Sequence, residues 1–239
     1  MHDSPTERGP TRTRRDGDLV GNPRTTAVPA LAMLAAVVLL TVMVAIDTAA
    51  PPFQGLDDAW RRLVLGWPGP TRSFGELFEV LGAGVVMIPL RIAVAAWLAF
   101  RRRRWDLAAW LLGWLVADLL TAVLKPGLGR ERPTPIDPDN PFTSFPSAHA
   151  KTAAQVAIGL VLVTTSPWRG RRAWYGLAVM WIVLMSLSRT VLDHHWLSDV
   201  LAGSLLGAGC AFLAAATLQV MRDRQGEPAR DSRPPPAPR

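Results

Sequence analysis

The sequence predicts an all-α protein, a polytopic membrane helix bundle with six transmembrane helices. Three observations predict it. Apolar residues make up 49% of the 239 residues and gather into long blocks instead of spreading at amphipathic spacing. Lys and Arg, 26 in all, fall largely in short runs between those blocks. Tryptophans cluster at block ends, where an indole sits well at a membrane boundary: Trp67, Trp105, Trp168, Trp174 and Trp196. Trp110, Trp114 and Trp181 instead read as filling of the bundle interior.

The elements follow in order. Residues 1–26 are polar, basic and proline-bearing, and read as a disordered cytoplasmic segment. The apolar run Ala27 to Ile46 exceeds the roughly 7–15 residues of a signal-peptide core and reads as an uncleaved anchor. Arg14-Arg15 resembles a twin-arginine signal, but the long span so soon after it argues against that reading. Leu56 to Trp67 is amphipathic and reads as an interfacial helix. Five further spans read as 75–100, 105–124, 148–166, 173–189 and 196–221, so that the membrane domain covers 27–221. Residues 222–239 form a flexible cytoplasmic tail, with five prolines after Gly226.

With six spans both termini share one side. That side carries 17 Lys and Arg residues against 8 on the other, with Arg91 inside a span. The bias places both termini in the cytoplasm. A net charge of +7 suits a nucleic-acid partner in principle. Its distribution between apolar blocks makes it a topology signal, so the expected partner is the bilayer and no nucleic acid. Cys210 is alone inside an apolar block, which excludes an intrachain disulfide, and no metal-ligand spacing of Cys or His occurs.

Three polar clusters fall on the predicted extracytoplasmic side. Lys125 to Pro133 places three cations within eight residues, and Pro126, Gly127 and Gly129 make a continued helix improbable there. An arginine fork and a lysine point charge suit a phosphate, although a basic loop at headgroup level has the same composition. Phe145 to Ala150 opens the fourth span with Pro146 and Ser147, a helix start whose free N–H groups favour an anion. Ser147 is a candidate cap, a phosphate ligand or both. His149 is costly at a membrane helix end, which argues for a function. Ser188 to Asp199 carries His195 and Asp199 four apart, on one face if the helix starts near His195. The carboxylate can then fix the imidazole tautomer and leave the other nitrogen free. Together the clusters supply candidates for a nucleophile, a proton donor and charge for a phosphorane-like transition state.

At these residues the chain resembles the type 2 phosphatidic acid phosphatase family, relatives of bacterial acid phosphatases and vanadium haloperoxidases. The family pattern K-x6-RP is met by Lys125 with Arg132-Pro133, and SR-x5-H-x3-D by Ser188-Arg189, His195 and Asp199. PSGH is met by Pro146-Ser147-Ala148-His149, with Ala148 where glycine is usual. Alanine keeps an N–H and suits a helix start, so function is expected to survive. The resemblance implies that His195 attacks phosphorus, Asp199 orients it, and His149 protonates the leaving oxygen and then activates water. It implies that Lys125, Arg132, Ser147, Ala148 and Arg189 hold the phosphate oxygens, with no cofactor or metal. The substrate it implies is a lipid phosphate or polyprenyl pyrophosphate such as undecaprenyl pyrophosphate, hydrolysed at the extracytoplasmic face of the cell membrane through a phosphohistidine. Phosphoryl transfer to an alcohol uses the same residues, and a non-catalytic lipid-binding or transport role stands as an alternative of another class. His194 is out of register and is assigned no catalytic role. Arg130 is a secondary candidate for headgroup contact. Arg91 and Asp118 are expected to pair with each other or to line the site.

Overall fold

The computed structural model describes residues 18–134, 144–165 and 171–226. The described residues form eight helices and no strand: α1 Pro23–Ile46, α2 Gln54–Leu65, α3 Pro70–Gly82, α4 Gly84–Phe100, α5 Arg104–Leu128, α6 Ala148–Thr164, α7 Arg171–Val191 and α8 Leu197–Gly226. Four of them, α1, α5, α7 and α8, have the length and hydropathy to cross a membrane. A bent pair, α3 with α4, makes a fifth candidate. The expected span at 148–166 ends one residue beyond the described residues, and Trp168 and the tail after 226 lie outside them.

α8 lies at the centre and packs on α1, α5 and α6. Its sequence explains how. Between helices in lipid there is little hydrophobic drive, so close packing of small residues does the work. Gly203 and Gly207 sit four apart and face α6. A Cβ at Gly203 would strike the Ser147 carbonyl, and one at Gly207 the Lys151 carbonyl. Gly113 of α5 brings that helix against Ala211 in the same manner. On the far side of α6, Gly159 accepts the buried ring of Trp110. Large apolar side chains left exposed on the outer helices, among them Val38, Leu39, Val85, Leu119 and Val183, form the belt a bilayer covers.

Three sequence expectations are corrected. The span read at 75–100 is broken at Ala83, an extended residue at φ −66°, ψ 154°, and α3 and α4 meet at a 44° bend. Beside the break, a Cβ at Gly82 would lie 2.6 Å from His149 Cδ2 and 2.9 Å from Met185 Sδ. α5 does not stop at Pro126. A proline forfeits one N–H bond without ending the helix, and Gly129, left-handed at φ 63°, ends it instead. Within the segment expected to be disordered, residues 18–26 pack on the bundle: Leu19 and Val20 are buried, the Val20 N–H bonds Gln219 Oε1 at 2.7 Å, and Asn22 caps α1. Arg171, counted among the topology charges, is buried and donates to the Leu162 carbonyl at 3.1 Å and the Leu19 carbonyl at 2.6 Å. It thereby satisfies carbonyls at the end of α6 that have no intrahelical partner.

The amphipathic reading of residues 56–67 corresponds to α2. Its Leu56 and Leu63 are exposed, whereas Asp57, Val64 and the half-buried Arg61 face the protein. That inward face reaches Arg130 and Pro133 of the first polar cluster and Asp193 and Ser198 of the third.

Candidate active site

The three clusters meet at one end of the bundle. α5 turns at Gly129, so the chain reverses and Arg130 and Arg132 fold back toward α8. The Ser147 N–H bonds the Asp199 carbonyl at 3.0 Å, which joins the second cluster to the third. Asp193 makes the turn after α7 at φ 60°, a conformation Asp tolerates better than most residues. Both of its carboxylate oxygens are held by Arg61 of α2 at 2.7 Å.

α8 begins at Leu197, two residues later than a shared helical face for His195 and Asp199 requires. The pair forms nonetheless. Asp199 Oδ2 accepts the Trp196 N–H at 3.0 Å, the return half of a capping box, and His195 Nδ1 lies 3.4 Å from the same oxygen. Ser144 Oγ donates to Asp199 Oδ2 as well. On the other side of the ring, Arg132 Nη1 lies 3.0 Å from His195 Nε2. A guanidinium only donates, so Nε2 is the acceptor and the ring proton sits on Nδ1, toward Asp199. Burial pushes the His195 imidazole down to about 3, against the opposing pull of Asp199. It is therefore neutral at physiological pH, with the Nε2 lone pair directed at the cations.

Lys125, on the last turn of α5, lies in electrostatic range of Arg132 and Asp199. It is also in range of both His149 and His195. Arg189 is 1% exposed, and its Nη2 donates to His194 Nδ1 at 2.6 Å. Its Nε and Nη1 have no hydrogen-bond partner among the described residues. Ser147 occupies the cap position of α6 but makes no side-chain cap bond, and its buried Oγ likewise has no partner there. Ala148 is the first residue of α6, where backbone N–H groups have no intrahelical acceptor. His149 has the Glu79 backbone within hydrogen-bonding reach, and its Nε2 is unpartnered among the described residues. Thus Lys125, Arg132, Ser147, Ala148, His149, Arg189, His195 and Asp199 are brought to one end of the bundle.

Arg130 is corrected. It is 1% exposed and cannot reach a headgroup, because four neighbours hold it: Asp199 Oδ1 at 2.7 Å, Ser198 Oγ at 2.7 Å, Asp57 Oδ2 at 2.8 Å and Gln54 Oε1 at 3.0 Å. It is a clamp between α2 and α8. Arg91 and Asp118 do pair, at 3.0 Å, and Lys151 and the Trp114 indole join the same carboxylate.

Sequence reasoning missed Asp57, Glu79 and Ser144. Asp57 is 1% exposed and accepts the Ser198 N–H at 2.9 Å and Ser198 Oγ at 2.6 Å besides Arg130. The i, i+4 spacing of Asp57 and Arg61 on the polar side of an amphipathic helix was the available signal. Glu79 and Ser144 carry none, since each acts across the fold. His194, left without a role, contacts both Arg189 and Arg132, the latter through its carbonyl at 2.8 Å.

Two imidazoles, a lysine and two arginines gathered at the end of a helical membrane bundle define a membrane enzyme built to handle a phosphate. Comparison with known proteins agrees. The family model described as PAP2 superfamily matches residues 106–223. The chain is 36% identical over 139 residues to phosphatidylglycerophosphatase B of Bacillus subtilis, covering 56% of this chain and 68% of that one. It is 34% identical over 130 residues to decaprenylphosphoryl-5-phosphoribose phosphatase of Mycobacterium tuberculosis, covering 52% of this chain and 66% of the relative. A crystal structure of a transmembrane PAP2 type phosphatidylglycerolphosphate phosphatase from Bacillus subtilis superimposes with a TM-score of 0.63 at 26% identity, over 83% of this chain and 97% of that one. The chain belongs to the PAP2 superfamily and is a multi-pass membrane phosphatase.

Proposed function

We propose that this phosphatase hydrolyses a lipid phosphate or polyprenyl diphosphate at the extracytoplasmic face, through a phosphohistidine on His195 and without a metal ion. The observation that carries the proposal is the line Asp199–His195–Arg132, which leaves His195 neutral with its Nε2 lone pair beside a guanidinium. Nε2 attacks phosphorus, a P–N bond forms, and the P–O bond to the lipid breaks. His149, entering the step as the imidazolium, gives its Nε2 proton to the leaving oxygen. Water then attacks phosphorus while His149 takes up a proton, the P–N bond breaks, and phosphate leaves with His195 restored. Lys125, Arg132 and Arg189, with Ser147 Oγ and the Ala148 N–H, hold the equatorial oxygens whose charge grows in the transition state. Asp199 keeps the proton on Nδ1, and Arg130 and Ser144 keep Asp199 in place.

The topology belongs to the same proposal. α6 has 17 residues, about 25 Å at 1.5 Å per residue, and completes six crossings as a short span buried among its neighbours. Its abundant buried contacts let it span without presenting a long apolar face to lipid. Six crossings place both termini in the cytoplasm by the Lys and Arg bias. The active end, with the interfacial helix α2 beside it, then lies outside. The relatives act, by name, on a phosphatidylglycerophosphate and on a decaprenyl-linked phosphate, which supports a substrate whose tail stays in the bilayer.

The test is phosphate release by purified protein from a panel of lipid phosphates and diphosphates in EDTA. Activity is expected to persist in EDTA and to vanish in His195→Ala. Loss of activity in EDTA, restored by a divalent ion, would refute the metal-free route.

A further inference from the structure

Glu79 belongs to none of the three clusters, yet it touches residues from two of them. It lies near the end of α3, where α3 packs on α7. Its backbone is within hydrogen-bonding reach of His149, and its Oε1 lies 3.3 Å from Arg189 Nη2 and 3.6 Å from His194 Nδ1. The second distance is not a hydrogen bond. Arg189 donates to His194 Nδ1 at 2.6 Å, so that nitrogen carries a lone pair and the histidine proton sits on Nε2. Glu79 and His194 are thus two acceptors sharing one nitrogen of Arg189. The exposures are unequal: the Arg189 side chain is 2% exposed and the Glu79 side chain 39%. The guanidinium is fixed, whereas the carboxylate has solvent beside it. A buried cation needs a counter-charge, and Glu79 is the carboxylate that contacts Arg189 among the described residues.

We propose that Glu79 is an internal counter-anion of the phosphate site, balancing Arg189 before substrate binds and limiting how much negative charge the site accepts. The proposal rests on the reading of Arg189 as a phosphate ligand. A phosphate monoester brings a charge of about −1.5 to −2 at pH 7, close to a carboxylate already in place. Glu79 therefore opposes each ligand in proportion to that ligand's charge. Lys125, Arg132, His149 and His194 face the same space and are unchanged in the comparison below, so the effect of one carboxylate is isolated.

Binding to the full-length protein in detergent is measured by calorimetry at pH 8 and fixed ionic strength. The probes are inorganic phosphate, a dianion, and dimethyl phosphate, a monoanion. Glu79→Gln keeps the shape of the side chain and the α3 backbone. It is expected to bind phosphate about tenfold more tightly than the wild type and dimethyl phosphate about threefold more tightly, since the opposing energy scales with ligand charge. Glu79→Asp, which keeps the charge, is expected to stay near the wild-type affinities. Equal or weaker phosphate binding by Glu79→Gln, or the same gain for both probes, would overturn the role of Glu79 while leaving the phosphate site intact. Phosphate binding by neither the wild type nor the variant would overturn the phosphate site itself and the proposal with it.

Discussion

Replacing Asp57 by Asn tests whether α2 holds His195, the proposed nucleophile, in place. Asp57 and Arg130 are each 1% exposed, and Asp57 also holds Ser198 through its N–H and its hydroxyl. Arg130 lies between two carboxylates, Asp57 at 2.8 Å and Asp199 at 2.7 Å. Removing the Asp57 charge leaves Asp199 as the one carboxylate on Arg130 and draws it away from His195, to which it reaches only 3.4 Å now. Breaking one partner out of a buried pair costs about 3–5 kcal/mol, and the amide of Asn recovers part of it by accepting the Ser198 N–H. With about 1 kcal/mol recovered and about 2–4 °C per kcal/mol for a chain of this size, the midpoint of thermal unfolding in detergent should fall by about 4 °C or more. Turnover of the folded protein should fall about tenfold to a hundredfold through misplacement of the imidazole. A melting midpoint within about 2 °C of the wild type, with unchanged turnover, would refute the clamp.

Other perturbations follow from the packing. Gly82→Ala places a Cβ 2.6 Å from His149 Cδ2 and 2.9 Å from Met185 Sδ, so turnover should drop while the helical signal by circular dichroism is retained. Gly207→Ala drives a Cβ into the Lys151 carbonyl, a backbone atom that cannot rotate away, and should lower stability by about 1–3 kcal/mol in a thermal melt. His195 is held down to about 3 in the fold against 6.5 when unfolded, so the unfolded chain binds the extra proton between those values. Stability should therefore fall as pH drops below about 6.5, and His195→Gln should show a shallower decline than the wild type. Parallel melting curves across that window would contradict the burial of a neutral ring.

The residues proposed for the site were legible in the sequence where they form local patterns. Lys125 with Arg132, Ser147 with His149, and Arg189 with His195 and Asp199 are each local patterns, and each is present at the same end of the bundle. Contacts made across the fold left no such trace. Asp57 reaches Ser198 over 141 residues of chain, and Arg189 reaches Glu79 over 110. Arg130 and Arg132 read alike because two arginines two apart offer the same chemistry on paper. The turn at Gly129 sends one into a buried clamp and the other to the imidazole. Hydropathy likewise gives Leu81 to Gly84 an apolar character but no hint of a bend, because the extended backbone at Ala83 is a local conformation that hydropathy does not encode. Pro126 misled in the opposite direction: its local cost was legible, and the packing of α5 against α8 that outweighs it was not.

The decisive measurement is rapid quenching of the enzyme during turnover of a lipid labelled in its phosphate, followed by peptide mapping of the trapped protein. The label should appear as an acid-labile, alkali-stable phosphoryl group on the peptide containing His195, and His195→Asn should neither trap it nor release phosphate. Label on another residue, or turnover by His195→Asn near the wild-type rate, would contradict a nucleophile held between Asp199 and Arg132.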